Sequence, residues 1–313
     1  MSYELDTRLV IGLASSALFD LGEADQVFRR EGEAAYRAYQ LENRTQTLAP
    51  GVAFPFIKRL LSLNDLSPTD DPLVEVILLS KNDPDTGLRV MDSIKSHGLG
   101  ISRAVFLQGR SPHRFIDALS ISLFLSANEI DVREANAAGH AAGQVIDVLD
   151  SSFVDEDGDD ELRIAFDFDG VLADDQSEAV FQASGLVGFH EHEQRNAGIP
   201  LSPGPLAPFL HKLRKIQALE EQKVMDDRSY VRKLRVAIVT ARNAPAHERV
   251  ITTMRNWDVV VNEAFFLGGV EKRRVLEILR PHIFFDDQQS HLTPAAAALP
   301  CVHIPFGSLN RKL

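Results

Sequence analysis

Four short stretches hold residue types that handle phosphate when they are brought together. The run "RIAFDFDGVLADD" (163–175) ends an apolar segment on Asp167 and Asp169. Side chains alternate along a strand, so both carboxylates point to the same side. Gly170 lets the chain turn sharply just after them. Carboxylates this close repel unless something positive lies between them. A divalent cation with oxygen ligands is the usual solution, and Mg²⁺ suits because it needs few protein ligands. "VAIVTARN" puts Thr240 at the end of another apolar run, with Arg242 two residues on. "FLGGVEKRRVLEIL" puts Lys272 at a helix start after a Gly-Gly turn, and "HIFFDDQ" ends on Asp286 and Asp287. The carboxyl edge of an open α/β sheet is where such groups converge on a phosphate. Each stretch alone is more often a structural strand end or helix start than a catalytic one. The order of all four is what argues for a site.

Parallel strands must carry these residues. Near-continuous apolar runs lie at 9–14, 74–80, 103–109, 122–127, 163–169, 235–241, 263–269, 282–287 and 301–306. Such runs are expected of strands covered on both faces. Helical spacing fills gaps between them, as in "TGLRVMDSIKSHG" (86–98) and "PAHERVITTMRNW" (245–257). Alternating strands and amphipathic helices predict an α/β fold with a parallel, Rossmann-like sheet. The acidic, aperiodic stretch at 149–163 reads as a surface loop or linker. The expected division is therefore 1–150, an acidic linker over 151–162, and a catalytic domain over 163–313.

The two halves echo one another. Residues 73–126 lie on 233–286 without a gap, with Ser80 on Thr240, Gly109 on Gly269 and Ser126 on Asp286. Ten of the 54 positions are identical, whereas composition alone gives roughly three. Extending the comparison, "LASSALFD" (13–20) lies on "DFDGVLAD" (167–174), with Leu13 opposite Asp167 and Ser15 opposite Asp169. Pro112 stands for Lys272, and Ser126 and Ala127 stand for the acidic pair. The first half is thus expected to be a degenerate, non-catalytic copy. Its Arg110, Ser111, His113 and Asn128 could bind an anion, extend the substrate site or contact a second subunit. The plainer reading is loop and helix-cap residues satisfied locally.

Composition narrows the classes. The chain has 313 residues, 44% hydrophobic and 25% charged, with a formal net charge of −12. That charge disfavours binding to nucleic acid or an anionic membrane. The single cysteine, Cys301, excludes an internal disulfide and a cysteine-rich zinc site, and reads as a buried strand residue. Neither a secretory leader nor an apolar run approaching 18 residues is evident. The expectation is a cytoplasmic protein, with no nucleic-acid or membrane partner and a possible homo-oligomer.

Between the Asp167 loop and the Thr240 strand lie more residues than a direct crossover needs. An insertion over about 176–231 would cap the acidic site and read the substrate beyond its phosphate. In "GFHEHE" (188–193), Phe189 could stack on a nucleobase or simply fill the cap core. His190, Glu191, His192 and Glu193 imitate a metal cluster but fit a solvated face better. Arg242 and Gly170 complete the candidate substrate contacts.

The four-motif order over 163–290 resembles the haloacid dehalogenase superfamily of aspartyl-phosphate phosphatases. That resemblance implies that Asp167 is the nucleophile and a metal ligand. It implies that Asp169 is the general acid and then base, and binds the metal through its backbone carbonyl. Thr240 would bond the phosphoryl oxygens, and Lys272 would neutralise charge. Asp287 would be the direct metal ligand of the acidic pair, with Asp286 holding Lys272 or a metal-bound water. Over most of the chain, "LFDLGEADQVFRREGEAAYRAYQLEN", "NDPDTGLRVMDSIKSHGLGISRAVFLQGRSP", "LFLSANEIDVREANAAGHAA", "FHEHEQ" and "RPHIFFDDQ" resemble the cytosolic type I 5′-nucleotidase family. This implies Mg²⁺-dependent hydrolysis of nucleoside 5′-monophosphates. Two other functions stay open: a phosphatase acting on a sugar phosphate or other small phosphomonoester, and a nucleotide-binding scaffold without turnover.

Overall fold

The computed structural model describes residues 3–147 and 160–310. The chain divides into two compact units, Met1–Val145 and Ile146–Leu313. Of the expected linker, residues 151–159 lie outside the described residues, and Leu162 already belongs to a strand.

The first unit is built on five strands: β1 (Leu9–Leu13), β2 (Val74–Ser80), β3 (Arg103–Phe106), β4 (Leu123–Ser126) and β5 (Ala142–Ile146). They pair in parallel in the order β3-β2-β1-β4-β5. The second unit carries β6 (Leu162–Phe166), β7 (Leu234–Thr240), β8 (Glu263–Phe266), β9 (Ile283–Asp286) and β10 (Cys301–His303). Their parallel order is β8-β7-β6-β9-β10, the same topology strand for strand. The apolar runs form these strands because helices cover both faces: every residue of β1 and β2 is buried. Only β5 has no apolar run in the sequence reading. "AGQVI" is short and glycine-containing, and it is held by its ladder with β4 rather than by its own pattern.

The cores correspond as well. Ile77, Leu79, Ile116, Phe124, Val132 and Ala135 share one cluster in the first unit. Ala237, Val239, Leu276, Phe284, Leu292 and Ala295, each 160 residues later, share one in the second. The ladders correct one detail of the sequence comparison. Leu13 pairs with Leu78 and Phe166 with Ile238, so Leu13 matches Phe166, not Asp167. Ala14 then stands at the position of Asp167 and Ser16 at that of Asp169. Matching hydrogen bonds agree: Ala14 N donates to Leu125 O and Asp167 N to Phe285 O, both at 2.8 Å. A gapless alignment missed this because a one-residue slip moves every side chain to the other face, which only the ladder reveals.

Helix starts follow the local chemistry. Asp83 caps Pro84–Ser96 by accepting from Asp85 N and Thr86 N. Asn128 caps Glu129–Ala137 in the same way. Ser111 Oγ and His113 Nδ1 bond each other at 2.9 Å. The plainer reading of these loop residues therefore holds for Ser111, His113 and Asn128.

The segment 176–231, read from sequence as an insertion, lies between β6 and β7. It comprises two helices, Gln176–Arg195, kinked at Gly185, and Ala207–Asp226. The second packs on the sheet, with Phe209 fully buried against Phe166 and Phe285 at ring centroid distances of 6.1 and 6.2 Å. It is the crossover helix between β6 and β7, and only the first helix is extra. Cys301 is buried in β10, where burial pushes its thiol up.

Candidate active site

The carboxyl ends of β6, β7 and β9 bring the predicted residues together. Asp167 follows β6, Thr240 ends β7, Asp286 ends β9, and Asp287 is next in the chain. Lys272 directly precedes the helix Arg273–Leu279, reached through Gly268 and Gly269, both at positive φ. These five side chains are all buried. Lys272 Nζ lies 2.9 Å from Asp167 Oδ1 and 2.7 Å from Asp286 Oδ2.

The electrostatics are those of crowded carboxylates around one cation. Burial works against ionisation of Asp286, but Lys272 and His291 outweigh it and hold its carboxyl below the usual range. Burial also opposes the charge on Lys272, and Asp167 and Asp286 more than restore it. Asp167 is pushed up to about 6 by burial, against Lys272, with repulsion from Asp286 and Asp169 adding to the rise. Asp287 is pushed up to about 9 by burial and by repulsion from Asp167 and Asp286. Its buried Oδ1 has no hydrogen-bond partner among the described residues. Ligand atoms of Asp167, Asp286 and His291 also lie within 4.8 Å of one another. His291 Nδ1 sits 3.1 Å from Asp286 Oδ2.

Gly170 is required by this crowding. Its φ is +71°, and a Cβ there would stand 2.6 Å from Asp287 Oδ2. It turns the backbone beneath Asp287 and is not among the residues that line the cavity.

Arg242 is engaged differently from the substrate contact expected of it. Its Nε and Nη2 each donate to one oxygen of Asp169 at 2.7 Å, a two-pronged clamp. Nη2 also donates to Ser177 Oγ at 2.7 Å, and Nη1 donates to Glu193. Arg249 Nη1 meets the other Glu193 oxygen at 2.9 Å. Glu193 is fully buried; burial opposes its charge, but Arg242 and Arg249 prevail and hold its carboxyl below the usual range. The "HEHE" stretch is therefore not a uniformly solvated face. The signal that could have found Glu193 is a charged residue within the helix Gln176–Arg195 facing two arginines. Those arginines lie 49 and 56 residues away.

Above the carboxylates opens a cavity of about 390 Å³. Asp167, Asp169, Thr240, Arg242 and Asn243 form its polar side, and Phe181, Leu186 and Phe189 its apolar wall. Phe189 is buried between Phe181, edge-on at 6.2 Å, and the Arg242 guanidinium at 5.5 Å. Phe181 is 43% exposed and Leu186 56%. Phe189, beside the ionisable run, is the stacking candidate by sequence, yet the free aromatic face belongs to Phe181. His190 Nε2 bonds Asn243 Oδ1 at 3.0 Å and ties the helix Gln176–Arg195 to the loop after β7.

A parallel α/β unit with a carboxylate–lysine centre at its strand ends fits what sequence comparison finds. A family model described as 5′-nucleotidase matches residues 1–311, and the chain belongs to that family. Human cytosolic 5′-nucleotidase 1B is 34% identical over 297 residues, which is 92% of this chain and 47% of that protein. The chain thus spans about half the length of this curated relative. Among solved structures, histidinol dehydrogenase from Elizabethkingia anophelis matches at 9% identity, over 94% of this chain and 52% of that one. Its TM-score is 0.22, too low to carry an argument about fold.

Proposed function

We propose that the protein is a phosphoric monoester hydrolase that cleaves nucleoside 5′-monophosphates to nucleoside and phosphate, with Mg²⁺ and through an aspartyl-phosphate. The observation that carries this is the buried Lys272 bridging Asp167 and Asp286 at the floor of a cavity with an exposed aromatic wall. In this reading the second unit is haloacid-dehalogenase-like, with the helix Gln176–Arg195 as its cap. The first unit is a copy that has lost the catalytic groups.

An Asp167 oxygen attacks phosphorus as the bond to the nucleoside 5′-oxygen breaks, and Asp169 delivers a proton to the leaving oxygen. Water then attacks the phosphoryl group, Asp169 takes its proton, and phosphate leaves with Asp167 restored. Lys272 holds Asp167 in place and offsets charge on the phosphoryl oxygens, and Thr240 donates to them. Arg242 orients Asp169 rather than touching substrate. The donor set suits Mg²⁺: oxygen ligands, an excess of carboxylate charge, and the unpartnered Asp287 oxygen. Asp167, Asp287 and the Asp169 carbonyl would hold it, where it would supply charge neutralisation. His291 bonds Asp286, which is already engaged by Lys272, and so serves as a buttress. The relative's name supports a cytosolic setting, and among the described residues no helix is long and apolar enough to cross a membrane.

Phosphate release from ribo- and deoxyribonucleoside monophosphates and from sugar phosphates, with Mg²⁺ and after chelation, tests the reading. Metal-dependent release that favours nucleotides is expected. Faster turnover of sugar phosphates would favour the phosphomonoesterase alternative, and no release from any nucleotide would overturn the assignment. Phe181→Ala bears on the nucleoside. Stacking of a base on an aromatic ring contributes about 1–3 kcal/mol. KM should therefore rise roughly tenfold or more while kcat stays within about twofold, since contact made equally in ground and transition state affects KM alone. Steady-state kinetics that leave KM unchanged would remove Phe181 from the substrate site.

A further inference from the structure

The first unit keeps a cleft at the same place as the candidate active site. Its volume is about 520 Å³. Lys81, Asn82, Asp83, Gln108, Gly109 and Asn128 line it. Their counterparts 160 residues later, Ala241, Arg242, Asn243, Gly268, Gly269 and Gln288, line the cavity of the second unit. Even the turn is preserved: Gln108 and Gly109 have φ of 48° and 81°, Gly268 and Gly269 57° and 87°. A glutamine at positive φ is strained, and such residues concentrate at functional positions. The helices Gly22–Glu31 and Glu33–Glu42 roof the cleft, contributing Phe28 and Tyr36.

Its chemistry differs from that of the catalytic cavity in its reactive groups. Nothing there can attack or hold a metal as the second unit does, because Ala14, Ser16, Ser126 and Ala127 stand where Asp167, Asp169, Asp286 and Asp287 stand. Lys81 on the floor and Arg37 on the roofing helix are each paired with a carboxylate, as Lys272 and Arg242 are in the second unit. Lys81 Nζ is 2.5 Å from Asp131, and Arg37 Nη2 is 2.9 Å from Asp83. Asp25 and Glu33 add negative charge at the roof, with Arg29 the cation beside them. Asp25, Glu33 and Asp83 outnumber Arg29 and Lys81 in the lining, and the carboxylates proposed to hold an offsetting metal in the second unit have no counterpart here, which disfavours an anion. What remains is a pair of carboxamides, Asn82 and Gln108, beside an aromatic pair. Phe28 and Tyr36 meet edge-on at 5.8 Å, and Phe28 is 52% exposed. The Tyr36 hydroxyl donates to Asn82 Oδ1 at 2.9 Å and fixes the amide, leaving Nδ2 buried with no partner among the described residues. Carboxamides pair with the N6/N7 edge of adenine, and aromatic faces stack on the ring. The volume is within the range of small-molecule sites.

We propose that this cleft is a second, non-catalytic site for an uncharged purine nucleoside, bound by the Asn82 and Gln108 amides against Phe28. The site stands on the first unit's own residues; only its relation to the reaction, as a sensor of the product class, rests on the nucleotidase reading.

Hydrogen–deuterium exchange on the full chain with adenosine as the probe tests it. Adenosine should protect residues 22–42 and 81–87. Asn82→Ala and, separately, Gln108→Gly should each raise the adenosine concentration needed for that protection about tenfold. Gln108→Gly takes the residue found at the matching turn position and relieves the positive φ, so it leaves the fold intact. Neither variant should change nucleotide turnover without adenosine. Protection confined to 176–190 and 240–243, or no protection at millimolar adenosine, overturns the proposal. So does protection of 22–42 and 81–87 by inorganic phosphate or AMP at tenfold lower concentration than adenosine. Because the readout is binding, these outcomes are independent of whether the catalytic reading survives the phosphate-release panel.

Discussion

Asp167→Asn should lower kcat by about 10⁴-fold or more, the scale of removing a nucleophile from a catalytic unit. The amide keeps the shape of the side chain but cannot form the acyl-phosphate at a useful rate. Its surroundings predict that the fold survives. The substitution removes one negative charge from a buried group of carboxylates, and Lys272 retains Asp286 as its partner at 2.7 Å. Thermal melting of the metal-free variant should therefore match or exceed wild type. Acid-quenched wild type should carry phosphate on the peptide containing Asp167, and the variant none. Turnover within tenfold of wild type would remove Asp167 as the nucleophile and with it the two-step mechanism.

The largest stability effect should come from Glu193→Ala. Glu193 is fully buried and joins Arg242, Arg249 and Ser177. Deleting it leaves two buried guanidinium groups short of a counter-charge, a change that costs about 3–5 kcal/mol. For a unit of this size the melting temperature should fall by roughly 10 °C, at about 2–4 °C per kcal/mol. The sign of the pH dependence follows from the lowered Glu193 carboxyl. Its contribution is present in full above the unfolded-state carboxylate range and is lost as pH falls through the lowered native value. The gap between wild type and Glu193→Ala should therefore narrow on acidification. Glu193→Gln, which keeps hydrogen-bonding capacity, should lose less. A calorimetric shift below about 2 °C for the alanine variant would mean that the network contributes little. Activity should fall too, because Arg242 would no longer be anchored to the helix that carries Glu193 while it clamps Asp169.

These two residues mark the boundary between what sequence reading reaches and what it does not. Asp167 was legible at once: an apolar run, two acids at strand spacing and a glycine form a local pattern. Glu193 was not, since a glutamate among histidines and glutamates looks like a solvated helix face. Phe189 and Phe181 divide similarly. Both are aromatic residues of one helix, and only packing tells that Arg242 covers one while the other faces the cavity. The segment after Arg195 divides in the same way. By sequence Ala207–Asp226 reads as part of a cap, and packing sets its Phe209 against Phe166 and Phe285 of the sheet.

The sequence by itself determined the parallel α/β class, the echo between the halves and the order of Asp167, Asp169, Thr240, Lys272, Asp286 and Asp287. Each depends on a periodicity or a strand-end position that is set within a few residues. The tertiary structure alone decided the one-residue register that puts Ala14 and Ser16 opposite Asp167 and Asp169. It also decided the clamp of Arg242 on Asp169 across 73 residues, the burial of Glu193 and the persistence of a cleft in the first unit. The physical reason is that burial and pairing between groups distant in sequence are properties of the packed chain. Residue type sets what a group can do, and packing chooses its partner.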